Sequence, residues 1–241
     1  MKTVALIPAR YHAERFPGKL MQKLGDKTVI LQTYEATVRT ALFHEVCVVT
    51  DSDIIYEEII QNGGRALKSK ATHQCGTDRI AEAAIYFPDA KLFVNVQGDE
   101  PFTQEEALKN LLQAFEEDAN LQVASLMHVI EDEQAIKDPN NVKVVVDEHS
   151  HALLFSRSVI PFHRDRAVKP VYYKHIGIYA FRKKMLLAFP DMPQTPLEKA
   201  EKLEGLRYLE NGIKMKMILA DKGVIGIDTP EDLERARKFI S

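Results

Sequence analysis

The chain has 241 residues, enough to bury a full core as one large or two small domains. Its 45% hydrophobic and 28% charged residues are ordinary for a globular protein, and a net charge of −3 argues against nucleic acid or an anionic membrane surface as partner. Cys47 and Cys75 are the only cysteines and lie far apart, which excludes a zinc knuckle or a disulfide scaffold.

The N-terminal apolar run is too short for a signal peptide, and no run reaches membrane-spanning length. A cytoplasmic protein without membrane insertion is the expectation. Residues 4–7 read as a first strand. The loop Pro8-Ala-Arg-Tyr-His-Ala-Glu-Arg-Phe-Pro-Gly-Lys19 follows it directly and carries Arg10, Arg15 and Lys19. Loops in this position of a doubly wound sheet commonly cradle phosphates. This one is neither a Walker A loop nor a GxGxxG fingerprint, so side-chain cations would have to bind the oxyanions. The alternative is a solvated basic loop paired with Glu14.

Helical spacing over 29–41 follows the turn-like Gly25-Asp26. A strand is expected at 46–50, with Cys47 as a small core residue, then a helix at 54–61 stopped by Asn62-Gly63-Gly64. Residues 77–87 form an amphipathic helix with Ile80, Ala83, Ala84 and Phe87 on one face. Residues 92–96 are apolar on both faces, as in a buried parallel strand. They run into Asp99 and Glu100, held between Gly98 and Pro101. Carboxylates at the carboxyl end of such a strand stand where open α/β sheets bind ligands. They would repel a phosphate unless a divalent cation lay between, and Mg²⁺ suits one or two carboxylates plus substrate phosphates. A solvated acidic turn or a helix cap is the alternative.

A helix at 105–117 closes the first half. The second half is richer in strands, at 123–130, 142–146, 152–155 and 172–181, with a hairpin turning at 147–150. One helix is expected over 196–209, ended by Asn211-Gly212, then a strand at 215–219. A short apolar run at 224–227 precedes Asp228, and Thr229-Pro230-Glu231-Asp232 opens a final helix. Alternating strands and helices without a linker indicate one continuous α/β unit carrying a β-rich elaboration. The basic loop and the later carboxylates fall on the same edge of one sheet, a charge-balanced arrangement that phosphoryl or nucleotidyl transfer requires.

Several segments together resemble the 3-deoxy-manno-octulosonate (Kdo) cytidylyltransferases, or CMP-Kdo synthetases. They are Ile7-Pro-Ala-Arg10 with Arg15-Phe-Pro-Gly-Lys19, Cys75-Gly-Thr-Asp-Arg79, Asn95-Val-Gln-Gly-Asp-Glu-Pro101, Phe155-Ser-Arg-Ser-Val-Ile-Pro161, Lys174-His-Ile-Gly-Ile-Tyr179, Leu203-Glu-Gly-Leu-Arg207 and Asp228-Thr-Pro-Glu-Asp-Leu233. They cover nearly the whole chain, in order. The resemblance implies a Rossmann-like, GT-A-like nucleotidyltransferase: a mixed, mainly parallel sheet flanked by helices, in one nucleotide-diphospho-sugar transferase-like domain over 1–241. Residues 1–120 would mainly bind CTP, and 121–241 mainly the sugar and a second copy in a homodimer.

The implied reaction joins CTP and Kdo into CMP-Kdo with release of diphosphate, for lipopolysaccharide synthesis, with Mg²⁺ assisting. Arg10, Arg15 and Lys19 match the triphosphate side, with Arg10, Lys19 and Asp99 as catalytic residues. Asp99 and Asp228 match the metal-binding carboxylates, although Asp228 could instead cap the following helix. Cys75 and Arg79 fall in the cytosine-recognition region; Arg79 could otherwise pair with Glu82 one helical turn on. Gln97, Arg157, His175, Tyr179, Glu201 and Glu204 fall in the sugar-side motifs, with the Arg157 fork suited to the Kdo carboxylate. His175 and Tyr179 could equally be structural. Two positions depart from the pattern: Cys75 where Ser is usual, and Gly205 where Gln is usual. Cys75 would weaken a contact to the base or pass it to the backbone, and Gly205 bears on sugar specificity; 8-amino-Kdo or sialic acid are the alternative substrates. A non-catalytic nucleotide-binding paralogue is the reading from another class.

Overall fold

The structure, a computed structural model, describes residues 1–12, 16–70, 73–102, 104–221 and 226–239. In chain order the first half gives β1 (Thr3–Ala9), a short ribbon of β2 (Lys23–Leu24) and β3 (Lys27–Thr28), and helix α1 (Val29–Arg39). It continues with β4 (Glu45–Thr50), α2 (Asp53–Gln61), β5 (Ala66–Lys68), α3 (Gly76–Ala84), β6 (Leu92–Asn95) and α4 (Glu105–Glu117). The second half gives β7 (Val123–Ile130), α5 (Glu133–Lys137), β8 (Lys143–Val146), β9 (Ala152–Ser156) and β10 (Tyr172–Arg182). Helices α6 (Lys183–Ala188), α7 (Pro196–Glu201) and α8 (Gly205–Glu210), strand β11 (Met215–Leu219) and α9 (Pro230–Arg237) complete it.

Local chemistry sets the helix starts. The hydroxyls of Thr28 and Ser52 accept from the backbone N–H of Leu31 and Ile55. Thr229 and Asp232 form a reciprocal capping box at α9, with Pro230 in the first turn. Thr229, not Asp228, is therefore the cap of that helix, and the carboxylate of Asp228 is left for other partners.

One sheet runs through both halves, in the order β11-β7-β10-β6-β1-β4-β5, with β8 paired to β10 and β9 to β8. Strands β5, β4, β1 and β6 are mutually parallel; β10 lies antiparallel between β6 and β7, and β11 is parallel to β7. The mixed sheet bears out the expected α/β class. Helices cover both faces: Ala5, Ile7 and Val94 pack with Ile30, Leu108 and Leu111, whereas Leu6 and Phe93 pack with Ile80 and Ala84. No helix among the described residues is long and apolar enough to cross a membrane.

The chain winds outward from β1 through β4 to β5, then returns to the opposite side of β1 as β6. Strand order thus reverses between two parallel neighbours, and the crevice beyond their carboxyl ends is where such sheets hold ligands. The loops after β1 and β6 flank that crevice. Because β10 is antiparallel, its first half projects past the end of β6 and walls the same crevice.

The single helix expected at 196–209 is two. Lys202 takes a left-handed conformation (φ 56°) and ends α7, and α8 begins after Glu204. Amphipathic spacing persists across the break, which is why periodicity alone joins the two. Half of the apolar run expected at 224–227, residues 224 and 225, lies outside the described residues.

Candidate active site

The site is built around three short connections. Lys19 opens a turn of 3-10 helix (Lys19–Met21) at the end of the loop after β1. Its ammonium donates to Asp99, beyond β6, and to Asp228 at 3.2 Å, ahead of α9. A backbone bond from Ile227 N–H to the Asp99 carbonyl (2.9 Å) ties the two acidic segments together. The convergence of residues 99 and 228 is therefore a property of the main chain. Burial opposes the charge on Lys19, but the two carboxylates outweigh it and hold its pKa above the usual lysine value.

Gly98 lets this loop close. A Cβ there would stand 3.1 Å from Ile30 Cδ1 and 3.2 Å from the Pro8 carbonyl, so any side chain would wedge the loops after β1 and β6 apart. The Gly98 carbonyl accepts from the buried Thr33 hydroxyl at 2.9 Å, which fastens the loop to α1. Glu100 points under the same segment. Its burial, reinforced by Asp99, pushes its carboxyl up to about 8, so it is largely protonated at neutral pH.

Two cavities meet at Asp99 and Asp228. One, of about 580 Å³, is lined by Arg10, Lys19, Cys75, Arg79 and Arg157. The other, of about 1190 Å³, is lined by Glu100, Lys174, His175, Tyr179 and Glu204. Gln97, Asp99, Asn140, Lys202 and Asp228 border both. The smaller compartment is predominantly cationic, whereas the larger mixes an excess of carboxylates with Lys174, Lys202, Arg235 and Lys238. Arg15 lies outside the described residues.

In the smaller compartment Arg79 is buried and donates to Asp51 (2.8 Å) and to Ser69 (2.6 Å). It does not pair with Glu82, which instead holds His73 at 2.7 Å. Arg79 thereby pins the ends of β4 and β5 against α3. Arg157 donates from Nε to the Glu201 carbonyl (2.8 Å) and from Nη1 to the Pro139 carbonyl (3.0 Å).

On the other side, Gln97 donates to the Gly177 carbonyl at 3.0 Å. Tyr179 is buried, stacked on Phe181, and its hydroxyl is held far from ionisation by burial and by Glu204. The carboxylate of Glu204 accepts from the Thr77 hydroxyl at 2.7 Å, and burial raises its pKa. Burial and Glu204 likewise push the Cys75 thiol up, so it is a neutral N-cap of α3 rather than a thiolate. Glu201 borders neither cavity; its carboxylate accepts from the Ser156 hydroxyl (2.6 Å) and the Arg157 N–H (3.0 Å). At Gly205 a Cβ would lie 3.2 Å from the Phe155 ring and 3.3 Å from the Tyr179 hydroxyl. Any side chain there would require those aromatic groups to shift by a few tenths of an ångström.

The fold brings Arg10, Lys19, Asp99 and Asp228, which the sequence reading names, to one crevice. That reading does not single out Asn140, on the shared border, or Lys174, on the larger cavity's wall. Lys174 sits in the quoted Lys-His-Ile-Gly-Ile-Tyr segment, whereas Asn140 lies in a polar stretch without a pattern. No cluster of three or more His, Cys, Asp or Glu suited to a metal occurs among the described residues.

Comparison with known proteins agrees with this geometry. A family model described as cytidylyltransferase matches residues 4–217. The chain is 55% identical to a 3-deoxy-manno-octulosonate cytidylyltransferase of Flavobacterium johnsoniae, covering 100% of this chain and 99% of that one. It is 52% identical to the protein of the same name from Christiangramia forsetii, covering 100% and 97%. Among solved structures, it superimposes on a CMP:2-keto-3-deoxy-manno-octonic acid synthetase complexed with CTP, with a TM-score of 0.92, 38% identity, and 100% and 98% coverage.

Proposed function

The chain belongs to the cytidylyltransferase family, and from that premise we propose that it transfers the cytidylyl group of CTP to Kdo, giving CMP-Kdo and diphosphate for lipopolysaccharide synthesis. The observation that carries this reading is the pair of unlike cavities joined at Asp99 and Asp228. A triphosphate needs cations, and Arg10 and Lys19 face the smaller compartment; a polyhydroxylated sugar needs hydrogen-bonding groups, and Gln97, His175, Tyr179 and Glu204 face the larger. The two substrates would then meet at the border. There the anomeric oxygen bonds to the α-phosphorus as the bond to the β-phosphate oxygen breaks, releasing diphosphate and a proton.

Lys19 would neutralise charge on the phosphate oxygens during transfer, and Arg10 would hold the departing diphosphate. Arg79, braced by Asp51 and Ser69, shapes the wall where the base would lie, and Cys75 presents a neutral thiol there. Arg157 lines the smaller compartment and bonds to Pro139, next to Asn140 of the shared border, from where its remaining donors would meet the sugar carboxylate. Glu201 would act by holding Arg157 in place.

Asp99 and Asp228 fit a Mg²⁺ ion: two hard carboxylate donors already converge on one ammonium, and Mg²⁺ commonly takes one or two carboxylates with substrate phosphates completing the set. Bound there, it would supply charge neutralisation at the α-phosphate, with Lys19 yielding part of its contact to the carboxylates. The expected result for Asp99→Asn is a fall in turnover of about 10²-fold or more with the fold intact, measured as diphosphate release across a Mg²⁺ titration. Near-normal turnover at low Mg²⁺ would contradict the metal assignment.

We also propose a cytoplasmic homodimer. Leu153, Phe162, Val168 and Val171 expose apolar side chains on β9 and the segment linking it to β10, Phe162 at 85%.

A further inference from the structure

Strand β10 carries a bulge opposite β7: Ile176 pairs with Leu126, but the next paired residue, Tyr179, faces Ser125. The extra residues turn the Ile176 and Ile178 carbonyls toward the fully buried Ser125 hydroxyl, at 3.2 and 2.8 Å. The same oxygen lies 2.8 Å from His175 Nε2. Each of the two 2.8 Å contacts requires a proton between its heavy atoms, and a hydroxyl has only one. Two facing oxygens cannot share a contact that short without a proton, so Ser125 donates to Ile178. The proton on the other contact must therefore belong to the imidazole.

We propose that Ser125 is a positioning residue that fixes His175 as the Nε2-protonated tautomer, so that the bare Nδ1 accepts a hydrogen bond from a hydroxyl of the bound acidic sugar. The proposal rests on the reading of the larger cavity as the sugar site. His175 lines that cavity, and among the described residues its Nδ1 has no hydrogen-bond partner. The ring plane is held between Phe155 and Tyr179, with centroids 4.7 and 5.2 Å away. Burial, helped by the charge of Lys174, lowers the imidazole pKa to about 3, so the ring stays neutral at physiological pH. A fixed acceptor selects a hydroxyl at that point of the ligand and repels a carbonyl or carboxylate oxygen, an orienting contact that a freely exchanging tautomer would not give.

The test is nitrogen NMR of the full chain labelled with ¹⁵N-histidine, the His175 signals being identified by their loss in His175→Gln among the eight histidines. At neutral pH, Nε2 is expected to carry the proton and Nδ1 to be bare, with the Nδ1 resonance moving when Kdo is added. A protonated Nδ1, or a Nδ1 unmoved at saturating Kdo, would overturn the proposal. In Ser125→Ala the tautomer is expected to mix or reverse, with KM for Kdo raised about tenfold and KM for CTP unchanged. A folded Ser125→Ala with an unaltered tautomer would overturn it as well. The wild-type spectrum stands independently if that variant does not fold. Turnover on the same sample separates the two readings. Turnover with a protonated Nδ1 removes the tautomer and leaves the activity. Absent turnover with a bare Nδ1 removes the activity, and the sugar contact with it.

Discussion

Lys19 illustrates how a residue's role depends on partners remote in sequence. The spacing of Arg10 and Lys19 after a strand suggests an anion site or a solvated basic loop, but not that Lys19 reaches Asp99 and Asp228, 80 and 209 residues away. That contact follows from strand order, which no local pattern encodes. Ser125 is the opposite case: a single hydroxyl on an apolar strand carries no signal, and its use appears only once the bulge aims two carbonyls at it. For His175 the folded-state pKa of about 3 lies below the usual value near 6.5. Between these limits the unfolded chain binds a proton that the native protein refuses, so this group's contribution to stability is lost as pH falls through that window. Acidification from pH 7 to pH 5 should cost the wild type up to about 2 kcal/mol more than His175→Gln, read from urea midpoints at the two pH values. Parallel losses in the two proteins would contradict the neutral, buried imidazole.

Among elements, the longer β-strands were legible because apolar runs of four to eight residues bounded by turn signals have few other uses, whereas the two- and three-residue strands β2, β3 and β5 were not. Strands β7 and β10 lie where the sequence pattern puts them, within a residue. The division of the 196–209 stretch was not legible: Lys202 carries no sign of its left-handed backbone, which tertiary packing imposes. The break is held by Arg207, buried on α8, which donates to both oxygens of the buried Glu198 on α7 (2.8 and 2.5 Å) and lies 4.0 Å over the Phe189 ring. It carries Glu201 and Glu204 to opposite tasks, one bracing Arg157, the other holding the start of α3 through Thr77. Removing one partner of such a pair leaves a buried charge uncompensated. Arg207→Ala should therefore lose about 3–5 kcal/mol of stability in urea unfolding. A loss below about 1 kcal/mol would show that the pair is not buried in solution.

At the scale of the whole molecule, the sheet joins what the sequence divides into a CTP half and a sugar half. Strand β10, from the second half, lies directly beside β6 of the first, and the two cavities share Gln97, Asp99 and Asp228 on their border. The alternation of elements made the α/β class legible, while the antiparallel insertion of β10 depends on long-range pairing that composition does not reveal. The exposed apolar side chains around Phe162 belong to this scale too. Sedimentation should find a dimer for the wild type and a shift toward monomer for Phe162→Asp; a monomeric wild type would contradict the homodimer. A side chain at Gly205 would press on the neighbouring Phe155 ring and Tyr179 hydroxyl, which would have to shift to admit it. The most direct measurement is diphosphate release with CTP and Mg²⁺, comparing Kdo, its 8-amino analogue and N-acetylneuraminate. Release with Kdo well above both others is the predicted result. Release with none of the three, from folded protein, would contradict the assignment of this crevice as a cytidylyltransferase site for Kdo.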